Sequence, residues 1–152
     1  MAGRAPGATR TFRTSLRVRY PETDAMGIVH HTHYFVWFEV GRTELMRGAG
    51  YPYARMEAEG VLFPVVEASC RYHVSARYDD VVTVETRIAE MTRVTTRFQY
   101  RVERESDGTL LAEGTTRHAA TDESGAPRRI PRELADALGV ETRNLPPEGE
   151  AP

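Results

Sequence analysis

The run RVRYPETDAMGIVHHTHYFVWFEVGRTELMR, residues 17–47, changes its periodicity part-way, and that change decides the fold. At its upstream end Phe12, Leu16, Val18 and Tyr20 alternate with Arg13, Ser15, Arg17 and Arg19, the two-residue period of a half-buried strand. Pro21 has no N–H to give a ladder and ends the strand. From Thr32 to Arg47 the period becomes helical, with Tyr34, Trp37, Phe38, Gly41 and Leu45 on one face. Phe35, Val36, Val40 and Met46 widen the apolar band past the stripe of a surface helix, so this helix is expected to be enclosed, with Trp37 and Phe38 in the core. Gly48 and Gly50 close it. A short loop carrying Asp24 joins the two elements.

Outward from this run, Pro52 and Gly60 bracket a second, short helix, the usual placement of proline at a helix start and glycine past its end. Four strand-like segments follow. Val61 to Val74 sets Leu62, Val66, Ala68, Cys70, Tyr72 and Val74 on one face; Val81 to Ala89, Val94 to Val102 and Leu110 to Thr121 alternate likewise. Asp79-Asp80 and Asp107-Gly108 supply turns. Pro131 to Leu138, stopped by Gly139, reads as a terminal helix. Consecutive strands on short turns make an antiparallel sheet. The architecture is therefore α+β: a five-stranded antiparallel sheet wrapped around a long central helix. Gly41 and the small residues Ala112, Gly114 and Ala120 permit close approach. A single domain over residues 12–138 is expected, with 1–11 and 139–152 as flexible termini.

Composition removes several classes. The 152 residues carry a net charge of −2, which argues against nucleic acid as the main ligand. All 20 basic residues are arginine, which nucleotide bias explains. One cysteine, Cys70, excludes an internal disulfide and suits a reducing compartment. No apolar run approaches the ~20 residues of a membrane span, and no apolar stretch follows the arginines of the N-terminus as a secretory signal requires. A cytoplasmic chain without a membrane span is expected.

The chemistry concentrates at the loop-to-helix junction. Asp24, with an ordinary carboxyl pKa of about 3.9, is ionised at neutral pH and can attack a carbonyl or activate water; it can also simply cap the turn before Gly27. Backbone N–H groups from Gly27 to His31 meet the head of the helix, where such groups lack intrahelical acceptors and sit at the positive end of the dipole. An oxygen gaining negative charge would be held there.

Glu22-Thr23-Asp24-x-x-Gly27-Ile28-Val29-x-His31-x-x-Tyr34 and Trp37-Phe38-Glu39-x-x-Arg42 resemble the signature of the 4-hydroxybenzoyl-CoA thioesterase family. The similarity continues through Phe63-Pro64-Val65-Val66, Ala76 to Val82 and Pro127 to Pro131, covering roughly residues 12–138. The resemblance implies the hotdog fold and hydrolysis of acyl-CoA thioesters, with no metal or redox cofactor and coenzyme A as part of the substrate. It implies Asp24 as nucleophile or general base, the backbone amide of His31 as oxyanion donor, and Glu39 as an acid orienting water or substrate. It further implies a homodimer whose sheets join edge to edge, paired into a homotetramer, with sites between subunits.

Around these residues, Gly27, Val29, His30, His33, Tyr34, Val65, Val66 and Glu67 are expected to line the substrate cleft, and Arg93 and Arg128 to meet coenzyme A phosphates. Each has a plainer reading. Glu39 can pair within its helix with Arg42 or Thr43, Glu67 can be solvated, and the arginines can be surface residues. His30, His31 and His33 invite a metal, but their spacing matches no established zinc pattern. His30 and His33 depart from the residues usual in the family, which bears on the acyl group rather than the reaction. The rival functions are a thioesterase acting on carrier-protein thioesters, a hotdog dehydratase and a non-catalytic acyl-binding protein.

Overall fold

A computed structural model describes residues 11–140; the expected flexible termini lie outside them except for Thr11, Gly139 and Val140. The elements run β1 (Thr11–Arg17), a 3-10 turn (Tyr20–Glu22), α1 (His33–Gly48), α2 (Tyr53–Ala58), β2 (Val65–Tyr72), β3 (Val81–Met91), β4 (Thr95–Arg104), β5 (Leu110–Ala119) and α3 (Arg132–Leu138). The strands form one antiparallel sheet in the order β1-β3-β4-β5-β2. Every element expected from the sequence is present, and the α+β arrangement with α1 laid across the sheet is the expected one.

The inner face of the sheet carries Val82, Val84 and Ile88 of β3 and Phe98, Tyr100 and Val102 of β4, all buried. Against them α1 sets Trp37, Phe38, Leu45 and Met46, also buried. Phe38 stacks on Tyr100 with ring centroids 4.3 Å apart. Gly41 and Gly114 are where the layers come closest. A Cβ on Gly41 would meet the Thr86 and Val84 side chains of β3; one on Gly114 would meet the Ser69 carbonyl and the Phe38 ring. The outer face is polar. Cross-strand register aligns Arg13, Glu85, Arg101, Glu113 and Arg71 in a row of alternating sign across all five strands.

Three expectations need correction. The central helix has 16 residues, about 24 Å, and is shorter than a long helix spanning the sheet. It is covered rather than enclosed, because the sheet wraps one side only; Val36 is 49% exposed and Glu39 and Val40 are also exposed. Tyr20 does not continue the buried face of β1: Pro21 turns the chain into the 3-10 segment, leaving Tyr20 exposed and edge-on to Tyr78. No helix among the described residues is long and apolar enough to cross a membrane.

Candidate active site

The loop between the 3-10 turn and α1 is a miniature hairpin. Thr23 bridges Val29, the Asp24 N–H donates to the Ile28 carbonyl (2.9 Å), and the Gly27 N–H returns to the Asp24 carbonyl (2.9 Å). Gly27 closes the turn at φ +75°, a backbone conformation that side chains oppose. Val29 is buried and its N–H reaches the Ala76 carbonyl (2.9 Å), which anchors the hairpin to the segment leaving β2. One Asp24 carboxylate oxygen accepts the Met26 N–H (2.8 Å). The turn-capping geometry is therefore real, and it tethers the carboxylate through one of its two oxygens.

Asp24 lines a cavity of about 270 Å³ with Met26, Ile28, Val29, His30, His31, Tyr34 and the segment Tyr72–Ser75. At the head of α1 the His30 Nδ1 lies 2.8 Å from the Thr32 hydroxyl and accepts the Thr32 N–H (3.4 Å). The neighbouring His31 N–H has no acceptor among the described residues. Tyr72 donates its hydroxyl to the His31 carbonyl (2.9 Å), and Tyr34 accepts the Ala76 N–H (3.2 Å) while its ring meets Tyr72 edge-on. Burial pushes both phenols up, Tyr72 with added repulsion around the Cys70 thiol, so both stay protonated. Burial also pushes the Cys70 thiol up, which favours its protonated form.

Of the expected site residues, the fold gathers Asp24, Val29, His30, His31 and Tyr34 on this cavity, with Gly27 shaping the loop beside it. His33 turns toward Glu22, its Nδ1 3.8 Å from that carboxylate. The His30 ring packs against those of His31 and His33, and among the described residues no group of His, Cys, Asp or Glu has a metal-binding arrangement. Glu39 is exposed two turns along α1, beside Val36 and Val40. Val65, Val66 and Glu67 are exposed on β2, the edge strand. Arg93 lies in the β3–β4 turn, its carbonyl accepting the Ile130 N–H (2.7 Å), and Arg128 packs beside Gly60. Tyr72, His73, Val74 and Ser75 were not singled out as cavity residues by the sequence, which holds no signal for which distant segment crosses the loop.

Residues 18–138 match the model of the thioesterase-like superfamily, and the chain belongs to that superfamily. The acyl-CoA thioester hydrolase YbgC of Escherichia coli is 32% identical over 127 residues, which span 83% of this chain and 94% of that protein. A hypothetical protein from Thermus thermophilus is 48% identical with a TM-score of 0.78, covering 83% of this chain and 95% of its own. A 4-hydroxybenzoyl-CoA thioesterase crystallised with 4-hydroxybenzoyl-CoA shares the fold at 22% identity, with a TM-score of 0.78 over 85% of this chain and 99% of its own. The hotdog architecture expected from the sequence is thereby borne out.

Proposed function

We propose that this protein hydrolyses an acyl-CoA thioester to a free carboxylic acid and coenzyme A. What supports the reading is one cavity lined by both Asp24, whose carboxylate accepts the Met26 N–H through one oxygen, and His31, whose backbone N–H has no acceptor among the described residues. The thioester carbonyl oxygen would lie against that N–H, and attack at its carbon would place negative charge there; such a donor contributes on the order of 10²–10³ in rate. With Asp24 as general base, water gives its proton to the carboxylate and its oxygen to the acyl carbon. The tetrahedral intermediate then expels the coenzyme A thiolate, which recovers the proton. With Asp24 as nucleophile, the carboxylate displaces the thiolate to form an anhydride, which water opens. Both routes balance with water as the only co-reactant, and the proposal includes no metal or redox cofactor.

The assembly is part of the proposal. β2 is an edge strand with Val65 and Val66 47% and 53% exposed, and the uncovered side of α1 presents Val36 and Val40. An exposed apolar edge of this kind is normally covered. A second subunit meeting β2 edge to edge supplies the cover, and pairing of dimers makes a homotetramer. Glu39, directed away from its own cavity, then acts across the subunit boundary, orienting water or substrate. Arg93 and Arg128 receive coenzyme A phosphates, for which guanidinium is well suited. The proposed location is the cytoplasm.

Thiol release measured across a panel of aliphatic and aromatic acyl-CoA esters tests the reading. Hydrolysis of at least one ester, lost in Asp24→Asn, is expected. Turnover of carrier-protein thioesters alone, or hydration of enoyl-CoA without thiol release, would replace it. In a single turnover in ¹⁸O-water, label in Asp24 identifies an anhydride opened at the aspartyl carbonyl, whereas label in the released acid alone is the outcome of the general-base route or of opening at the acyl carbon.

A further inference from the structure

Glu22 is the one buried carboxylate among the described residues, its side chain 4% exposed, and the chemistry proposed above makes no use of it. Its two oxygens do different jobs. Oε1 accepts the Arg19 N–H at 2.7 Å, closing the 3-10 turn; Oε2 accepts the indole Nε1–H of Trp37, on α1, at 3.0 Å. The Arg19 guanidinium (3.5 Å) and His33 Nδ1 (3.8 Å) flank it. Its carbonyl accepts the His30 N–H at 2.9 Å, so Glu22 also holds together the two ends of the hairpin that carries Asp24. Both close partners of the carboxylate are donors, and glutamate is the side chain of this length that offers an acceptor to each. Burying a carboxylate is costly unless it is paired and hydrogen-bonded; here both oxygens are hydrogen-bonded, and an apolar side chain would leave the Arg19 and Trp37 donors without acceptors. The arrangement serves geometry.

We propose that Glu22 is a positioning residue that sets the Asp24 carboxylate relative to the His31 N–H by tying the Asp24 hairpin to α1 through Trp37. The proposal rests on the thioesterase reading for its kinetic consequence but not for its structural one. Glu22→Gln must turn an N–H₂ toward one of two donors and lose one tie. In a Trp37→Phe background the indole donor is gone, and the same amide fits without conflict.

A double-mutant cycle with Glu22→Gln, Trp37→Phe and the combined variant tests this. Glu22→Gln alone is expected to lower kcat on the order of tenfold to 10²-fold, the penalty of a small misplacement, with KM little changed; added to Trp37→Phe it should cost little more. Trp37 is the sole tryptophan, so its emission reports the broken contact directly. Amide hydrogen exchange across residues 23–29 should accelerate in both single variants. A lower melting temperature with wild-type kcat per folded protomer and unchanged exchange at 23–29 would overturn the proposal, as would additive losses in the cycle. If the wild type releases no thiol from any acyl-CoA, the thioesterase reading fails, and the exchange and fluorescence still decide the role of Glu22. If Glu22→Gln does not fold, Trp37→Phe decides by amide exchange across residues 23–29 and by kcat per folded protomer.

Discussion

Two sides of the same helix contrast sharply. Where α1 meets β3 and β4 the packing is sealed: Trp37, Phe38, Leu45, Val84, Phe98 and Tyr100 are at most 1% exposed. At the head of α1 the opposite holds, with an N–H that has no acceptor among the described residues, an acid tethered by one oxygen and a cavity of about 270 Å³. The seam is where stability is made, and the rim is where an acid and the head of a helix line a cavity. A rim of this kind needs a rigid seam behind it, because a donor or base that drifts loses its effect.

If that division is right, mutations on the two sides fail in different ways. The largest effect is expected at the rim. Asp24→Asn removes the charge but keeps the turn-capping oxygen, so thiol release should fall by about 10²–10⁴ while the melting temperature stays within a degree or two. A large drop in melting temperature would mean that the carboxylate belongs to the seam after all.

Next comes a buried polar chain within the seam. Tyr100, Thr116 and His118 are linked at 2.5 and 2.8 Å, and His118 Nδ1 lies 3.0 Å from the Phe63 carbonyl. Desolvation lowers the His118 pKa from 6.5 to about 4, with Arg42 adding to the effect. The fold thus prefers the neutral imidazole, and the unfolded chain binds the proton first. This contribution to stability is fully present above pH 6.5 and is lost as pH falls to about 4. The loss is on the order of 3 kcal/mol. Denaturant midpoints between pH 7 and pH 4 measure it, and His118→Gln should flatten that part of the slope.

A smaller change is expected where β5 pairs with β2. Gly114→Ala drives a Cβ into the Ser69 carbonyl and the Phe38 ring, and overpacking of this kind costs about 1–3 kcal/mol. Chemical unfolding would record it, with kcat per folded protomer retained. The smallest effect is at the rim again. The proposed oxyanion donor is the backbone of His31, so His31→Ala leaves it in place, and kcat should fall by much less than in Asp24→Asn. A loss as deep as that of Asp24→Asn would assign the work to the imidazole.

Much of this was legible before any coordinates. The alternation of Val82, Val84 and Ile88, and of Phe98, Tyr100 and Val102, reads directly as the inner face of β3 and β4. The period shift after residue 31 places the helix to within a residue. Asp24 stands out because a lone acid before a glycine turn and a greasy helix is a short-range pattern. Glu22 lies in the same motif, yet nothing local shows that its partner is Trp37 rather than solvent. The apolar face read along Val61 to Val74 belongs in part to the exposed edge strand β2, because alternation records which residues share a face and not whether anything covers it.

Local order along the chain was set by the residues themselves: where strand gives way to helix, which side of each is apolar, and that an acid precedes the helix head. These follow from backbone sterics and side-chain spacing over a few residues. Only the tertiary structure decided that Tyr72 reaches the His31 carbonyl across 41 positions, that Trp37 pins Glu22 and that one side of α1 stays open. Such contacts depend on sheet order and strand register, which emerge when the whole sheet closes over its core.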